Sequence, residues 1–182
     1  MEHPLFYGVC HDTGVARVTV AGVPARPGVA AAVFRCLAVA GVPSDMAQNT
    51  STPGGRDDLL LVVPEGAVAH ATAALDRERA AIGFATLLVD AGIATVAVVG
   101  AGLRSDPHVL ARYFETLRDG GVTVEAVSLT ESRIAVVTRE RDAERAARHL
   151  RSAFLPGDPD LLLHQAPVKS VMLINSGKRA AS

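Results

Sequence analysis

The chain has 182 residues, a formal net charge of −1, 49% hydrophobic residues and only 4% aromatic residues. No basic block interleaved with aromatics is present to neutralise phosphates, so we expect no nucleic-acid binding. No apolar run approaches the ~20 residues that span a bilayer, and the first residues do not form a signal peptide. We therefore expect a cytoplasmic protein of one large or two small domains, with a core of Ala, Val and Leu and no membrane partner.

The predicted elements run in the same order twice. An alternating apolar strand leads into a Gly/Pro turn and a helix with one apolar stripe, and two strands and a second helix follow. In the first copy we predict a strand at 16–22, a helix that starts at Pro27, strands at 42–51 and 59–63, and a helix at 67–79. A closing strand is predicted at 85–89. In the second copy we predict a strand at 95–100, a helix that starts at Pro107, strands at 122–129 and 133–138, and a helix at 142–154.

An internal repeat accounts for this order. Val18-Thr-Val20-Ala-Gly22 matches Val96-Ala-Val98-Val-Gly100 at an offset of 78 residues, and from Pro27 and Pro107 onward the offset is 80. Two copies of ~80 residues are too few and too long for a solenoid, so they predict two small domains. The expected fold class is α+β, with two tandem ferredoxin-like βαββαβ domains at 15–90 and 91–155 and a C-terminal tail at 156–182.

The second copy lacks a closing strand of its own. Its last helix is followed by the loop Pro156-Gly-Asp-Pro159, so the fourth strand has to come from elsewhere in the chain. One alternative is the N-terminal segment 5–10, which would interleave the two domains. The other alternative is the segment 161–165. We expect 5–10 to complete the second domain.

Four short motifs then follow one another in an order that is specific, although each is weak alone. They are Gly22-Val-Pro-Ala-Arg-Pro-Gly28, Gln48-Asn49-Thr50-Ser51, Gly100-Ala-Gly-Leu-Arg-Ser-Asp-Pro107 and Ser128-Leu-Thr-Glu131. In this order and spacing, over residues 1–154, the chain resembles the regulatory (β) subunit of bacterial aspartokinase, which consists of tandem ACT domains. The resemblance implies a non-catalytic regulatory subunit, and we expect no cofactor.

The resemblance also implies a ligand, partners and site residues. Threonine or lysine, as a free amino acid, would bind at ACT–ACT interfaces of a homodimer and control an aspartokinase catalytic subunit by feedback. The implied ligand-binding residues come from one loop, one strand and the second copy: Ala25, Arg26, Gly28, Val29, Ala30, Gln48, Asn49, Ser128 and Thr130.

The turn before the first helix has suitable chemistry for a free amino acid. First-turn N–H groups have no intrahelical acceptor and carry the positive end of the helix dipole, so they attract a carboxylate. Gly28 allows a ligand to approach the backbone closely. The structural alternatives are that Pro27-Gly28 only shapes a tight turn, that Gln48 is an exposed strand residue, and that Ser128 and Thr130 are ordinary strand surface.

Several positions depart from the family pattern. Ala25 stands where the family has an acid, Pro43 replaces an Asn, His108 replaces a Gly, and the strand between Asp45 and Gln48 is one residue short. These departures indicate an alternative function: a divergent stand-alone ACT protein with an altered or lost ligand site, which binds another metabolite or serves specialised metabolism.

Catalytic motifs are weak. Cys10-His11-Asp12 contains a nucleophile, a base and an acid, but adjacent strand residues point to opposite faces and cannot bond one another as a triad requires. The six His are scattered without ligand spacing, and Gly100-Ala-Gly102 is an incomplete dinucleotide loop. We expect no enzyme activity in this chain and no metal site.

Overall fold

A computed structural model describes residues 4–52 and 54–156. It divides the chain into a continuous unit, Thr13–Ala94, and a split unit, Met1–Asp12 with Thr95–Ser182. Apart from Pro156, the predicted tail lies outside the described residues, as does the alternative last strand at 161–165. None of the described helices is long and apolar enough to cross a membrane.

The described residues contain eight strands and five helices in chain order, with a short 3-10 turn at Glu65–Ala67. The strands are β1 (Leu5–Asp12), β2 (Val15–Pro24), β3 (Met46–Thr52), β4 (Arg56–Pro64), β5 (Thr86–Asp90), β6 (Ile93–Ala101), β7 (Ala126–Leu129) and β8 (Arg133–Arg139). The helices are α1 (Val29–Val39), α2 (Val68–Arg77), α3 (Arg79–Ile82), α4 (Pro107–Asp119) and α5 (Glu140–Phe154).

The continuous unit is a four-stranded antiparallel sheet in the order β3-β4-β2-β5. Alternate residues of β2 and β4 point to the side of the helices, where Val18, Val20 and Leu61 are fully buried. There they join Val33 of α1 and Leu75 of α2 in one core cluster. The buried apolar residues of the strands and of the helices thus pack together on one face of the sheet.

The split unit repeats this architecture with a strand from the other end of the chain. Its sheet has the order β1-β6-β8-β7, and β1 pairs antiparallel with β6 from Leu5 opposite Ala101 to Asp12 opposite Thr95. Phe6 of β1 packs on Phe154 of α5, with ring centroids 5.0 Å apart. The predicted α+β fold of two ferredoxin-like units, interleaved through the N-terminal strand, is therefore confirmed.

Three predicted boundaries were wrong, each for a local reason. The strands predicted from 42 and 122 begin at Met46 and Ala126, because the N–H groups of Val42 and Val122 still bond carbonyls of the preceding helices, at 2.9 Å each. The helix predicted at 67–79 is interrupted at Glu78, where the backbone leaves the helical region (φ −97°, ψ 8°) before α3 begins.

The strand β3 is regular, although the segment between Asp45 and Gln48 is one residue shorter than the family pattern. It pairs with β4 in unbroken register from Met46 opposite Val62 to Thr52 opposite Arg56. The irregularity of this sheet lies in β2 instead, between Val20 and Val23, where Gly22 has a φ of +66°. This bulge directs the chain from β2 into the loop that precedes α1.

Candidate functional site

The loop between β2 and α1, together with the first two residues of α1, contains five of the predicted site residues. Gly28 is the N-cap of α1 with a φ of +91°, and no side chain caps the helix. The first helical bond runs from the Ala32 N–H to the Gly28 carbonyl at 3.0 Å, so the preceding first-turn N–H groups have no intrahelical acceptor. There is open space where a Gly28 side chain would lie. The start of α1 can therefore accept an anion.

The side chains of this loop differ in their exposure. Ala25, Arg26 and Ala30 are exposed, as is Gly28. Val29, in contrast, is only 7% exposed and packs into the core. Val29 can therefore reach a ligand only through its backbone N–H, whereas the other loop residues have free access.

Residues at the start of β4 hold the loop in place. The Asp58 carboxylate accepts the Gly22 N–H at 2.8 Å, and the Ala25 N–H donates to the Gly55 carbonyl at 3.1 Å. The Arg56 guanidinium donates to the Gly22 carbonyl and, at 3.1 Å, to the Gly83 carbonyl. These bonds hold the bulge at Gly22 and the loop residue Ala25 in place.

The two predicted residues of β3 lie on opposite faces of the sheet. Asn49 is opposite Leu59, which belongs to the core under the helices, so Asn49 shares the face of α1. Gln48 is opposite Leu60 and points to the open face. The structure therefore brings Asn49, and not Gln48, to the side of the sheet on which the loop enters its helix.

Asp57 is a residue of this region that the sequence analysis missed. Its carboxylate accepts the side-chain N–H of Asn49 at 2.9 Å. Asp57 is opposite both Val23 and Ser51 and lies two residues before Leu59, so it also shares the face of α1. Side chains alternate between the two faces along β4, and the Gly54-Gly55 turn sets the β3–β4 register. Together these two features could have placed Asp57 beside Asn49.

The corresponding helix start in the split unit is already occupied. Asp106 is the N-cap of α4, and its carboxylate accepts the His108 N–H at 2.9 Å. Pro107 in the first turn has no N–H to offer. The His108 side chain is exposed. A carboxylate of the chain itself therefore occupies the position where an external anion would bind.

Ser128 and Thr130 also belong to the split unit. Ser128 lies on the edge strand β7 opposite Ala135 and is half-buried. The hydroxyl and N–H of Thr130 both donate to the Arg133 carbonyl, at 3.2 and 2.8 Å, and close the turn between β7 and β8. The hydroxyl of Thr130 thus has a structural partner within its own unit.

A pocket lined by both polar and apolar residues lies on the open face of the continuous unit. Its volume is about 310 Å³, and its lining includes Thr19, Asp58 and Leu60, which alternate with the core residues of β2 and β4. An ion pair of Arg17 with Asp90, at 2.6 Å, forms part of its wall. None of the predicted site residues lines this pocket.

The cysteines and histidines that the structure describes form no catalytic arrangement. His11 lies 3.5 Å from Glu144 of α5, whereas Cys10 and Asp12 point to the opposite face of β1. Cys36 packs against the core, and burial raises the pKa of its thiol. In residues 4–52 and 54–156, no three His, Cys, Asp or Glu side chains are grouped to hold a metal ion.

Comparisons with known proteins agree with this architecture. A family model for the ACT domain matches residues 96–154. The aspartokinase of Mycobacterium tuberculosis is 40% identical over 167 residues, which cover 90% of this chain and 40% of that protein. The aspartokinase of Corynebacterium glutamicum is 38% identical over 162 residues, 88% of this chain and 38% of that protein. The chain thus spans about two fifths of the length of these relatives.

Two crystal structures match nearly their whole length. The regulatory subunit of aspartate kinase from Thermus thermophilus superposes with a TM-score of 0.77 at 33% identity, over 82% of this chain and 99% of that one. A chain of the aspartokinase alpha and beta subunits gives a TM-score of 0.74 at 32% identity, over 82% and 98%. The described residues form two ACT units and no kinase domain. The chain belongs to the family of the regulatory subunits of aspartate kinase.

Proposed function

We propose that this chain is a non-catalytic regulatory subunit that binds one free α-amino acid at the start of α1. The observation that supports the proposal is the uncapped, exposed N-terminus of α1, fixed by Asp58 and Gly55, in a member of this family. The ligand carboxylate would accept the N–H groups of Val29, Ala30 and Ala31, and the helix dipole would add to the attraction.

The proposal includes one site per chain, because the two helix starts differ. Asp106 fills the start of α4 with a carboxylate, whereas Gly28 leaves the start of α1 open. Threonine and lysine are the first ligands to test. Ser128 and Thr130 would contribute from a second ACT unit across an ACT–ACT interface.

The proposed partners are a second copy of this chain and an aspartokinase catalytic chain. The matched structure of aspartokinase alpha and beta subunits is an assembly of two different chains. The described residues form no kinase domain, so the ligand signal would pass to a kinase through such a contact. Co-purification with a co-expressed catalytic subunit, in the presence and absence of amino acid, tests this part of the proposal.

Ala25 and the capped α4 favour a second candidate function, in which the site has a different amino-acid specificity. A panel of the twenty standard amino acids, followed by melting temperature and by calorimetry, separates the two. Saturation at 100 times the dissociation constant should stabilise the chain by about 2.7 kcal/mol. A shift with threonine or lysine supports feedback control, a shift only with others supports the altered site, and no shift contradicts amino-acid binding.

Substitutions of Gly28 test where the amino acid binds. Gly28→Asp would place a carboxylate beside the α1 N–H groups and should weaken binding at least about ten-fold by repulsion. Gly28→Asn has the same size, tolerates a positive φ and carries no charge, so it is the matched control. Equal affinities of the two variants would place the amino acid elsewhere.

A further inference from the structure

We infer that Asp57 is the acceptor of the ligand's α-ammonium group. The inference rests on the proposed function and adds the second half of the recognition. A zwitterionic amino acid needs an anionic partner for its ammonium, since a charge removed from water without a partner is costly. The N-terminus of α1 supplies only positive potential and cannot meet this need.

The position of Asp57 follows from the register of two strand pairs. It lies opposite Val23, two residues before Ala25, and also opposite Ser51, two residues after Asn49. Both pairings put it on the face of the sheet that carries α1. Asp57 therefore lies between the end of β2 and the strand of Asn49 on this face of the sheet.

The two charged residues beside Asp57 in β4 make different hydrogen bonds. Asp58 points to the open face and accepts the Gly22 N–H at 2.8 Å. Arg56 donates to the carbonyls of Gly22 and Gly83. Of these three consecutive charged residues, Asp57 is the one that contacts a predicted ligand residue instead of the loop backbone.

The bond between Asp57 and Asn49 orients both groups for an ammonium. Asn49 donates to Oδ2 of Asp57 at 2.9 Å, so Oδ1 can accept a further hydrogen bond. The carbonyl oxygen of the Asn49 amide is a second acceptor beside it. Two or three oxygen acceptors around one ammonium match its three donors, and the carboxylate supplies the charge. The site would accordingly select α-amino acids over α-hydroxy acids.

The test compares Asp57→Asn with the parent by calorimetry, using L-threonine and L-lysine and their α-hydroxy analogues, 2,3-dihydroxybutanoate and 6-amino-2-hydroxyhexanoate. Loss of one charge-assisted bond should weaken binding of the amino acid about ten- to hundred-fold. Binding of the hydroxy analogue should change less than about three-fold, because it has no α-ammonium. Asp76→Asn, an exposed acid of α2 that pairs with Arg79, is the matched control and should bind as the parent does.

A compensating variant keeps the inference falsifiable if Asp57→Asn is poorly folded. Ala25→Asp added to Asp57→Asn returns a carboxylate to the loop and should recover most of the lost affinity. Unchanged amino-acid affinity in a folded Asp57→Asn variant would overturn the inference and leave the proposed function standing. A parent chain that binds neither amino acid would overturn the proposed function, and this inference with it.

Discussion

At the scale of single residues, the two helix starts show how one side chain decides what a backbone can bind. Asp106 was visible in the sequence, since an acid directly before Pro107 is a common start of a helix. The sequence did not show that Asp106 would occupy the anion position at the start of α4, because capping depends on a side-chain rotamer. Asp57 was harder to predict, since its partner Asn49 lies across a hairpin whose register depends on the conformation of the turn.

The cap of α4 gives a stability prediction. Asp106→Ala removes the acceptor of the His108 N–H and should lower the free energy of unfolding by about 1 kcal/mol, measured by urea denaturation. Asp119→Ala at the other end of α4 removes only an exposed ion pair with Arg118 and should cost less than about 0.5 kcal/mol. Equal costs for the two variants would mean that the cap contributes nothing.

Tyr113 gives a prediction for alkaline pH. Burial raises the pKa of its phenol above the ordinary value of 10.0, and its hydroxyl donates to the Val96 carbonyl at 2.9 Å. Above pH 10 the unfolded chain loses this proton and the folded chain keeps it, so stability falls as pH rises. At pH 8, Tyr113→Phe should cost about 1 kcal/mol, and the cost should shrink between pH 9.5 and 11.

Urea midpoints at pH 8, 9.5, 10.5 and 11 measure this effect. A cost of Tyr113→Phe that stays constant over the whole range would contradict the buried neutral phenol. Tyr7→Phe removes the hydroxyl of a tyrosine that is 56% exposed, and at pH 8 it should change stability by less than about 0.5 kcal/mol.

At the scale of elements, the order of strands and helices could be predicted because apolar residues alternate in β2, form a continuous run in β4 and recur every three to four residues in the helices. The starts of β3 and β7 could not be predicted, because the buried Val42 and Val122 look like strand residues but donate their N–H groups back to carbonyls of the preceding helices. The sequence also left open which segment completes the second sheet, since both alternatives are short apolar runs.

The pairing of β1 with β6 can be tested at one glycine. A Cβ at Gly100 would overlap the backbone carbonyl oxygen of Leu5 and approach the Leu103 side chain at 2.8 Å. Gly100→Ala should therefore destabilise the protein by about 2 kcal/mol or more in urea or thermal unfolding. Gly8→Ala on β1 itself meets nothing within 4 Å and should be nearly neutral. A neutral Gly100→Ala would argue against this strand pair.

At the scale of the whole molecule, the proposed homodimer needs surfaces that a single chain leaves exposed. β5 is an edge strand of the continuous unit, and its Leu88 and Val89 are 57% and 49% exposed. An apolar edge strand is a common place for a second chain to pair. We expect this edge to take part in the dimer.

A charge on that edge should weaken the association. Val89→Lys should raise the dimer dissociation constant at least about ten-fold, because a buried lysine without a partner is costly. Sedimentation equilibrium over a range of concentrations measures the constant. Val39→Lys, at a residue of α1 that is 86% exposed and not on an edge strand, should associate as the parent does. Identical behaviour of both variants would place the dimer contact elsewhere.

The pairing of β1 with β6 also has a consequence for synthesis on the ribosome. β1 ends at Asp12 and β6 begins at Ile93, so 80 residues are made between the two strands. At about 5–20 residues per second, the N-terminal strand waits about 4–16 seconds for its partner. During that interval the strand and helix that bury Phe6 and Val9 have not yet been made. We therefore expect a nascent-chain chaperone to bind at β1.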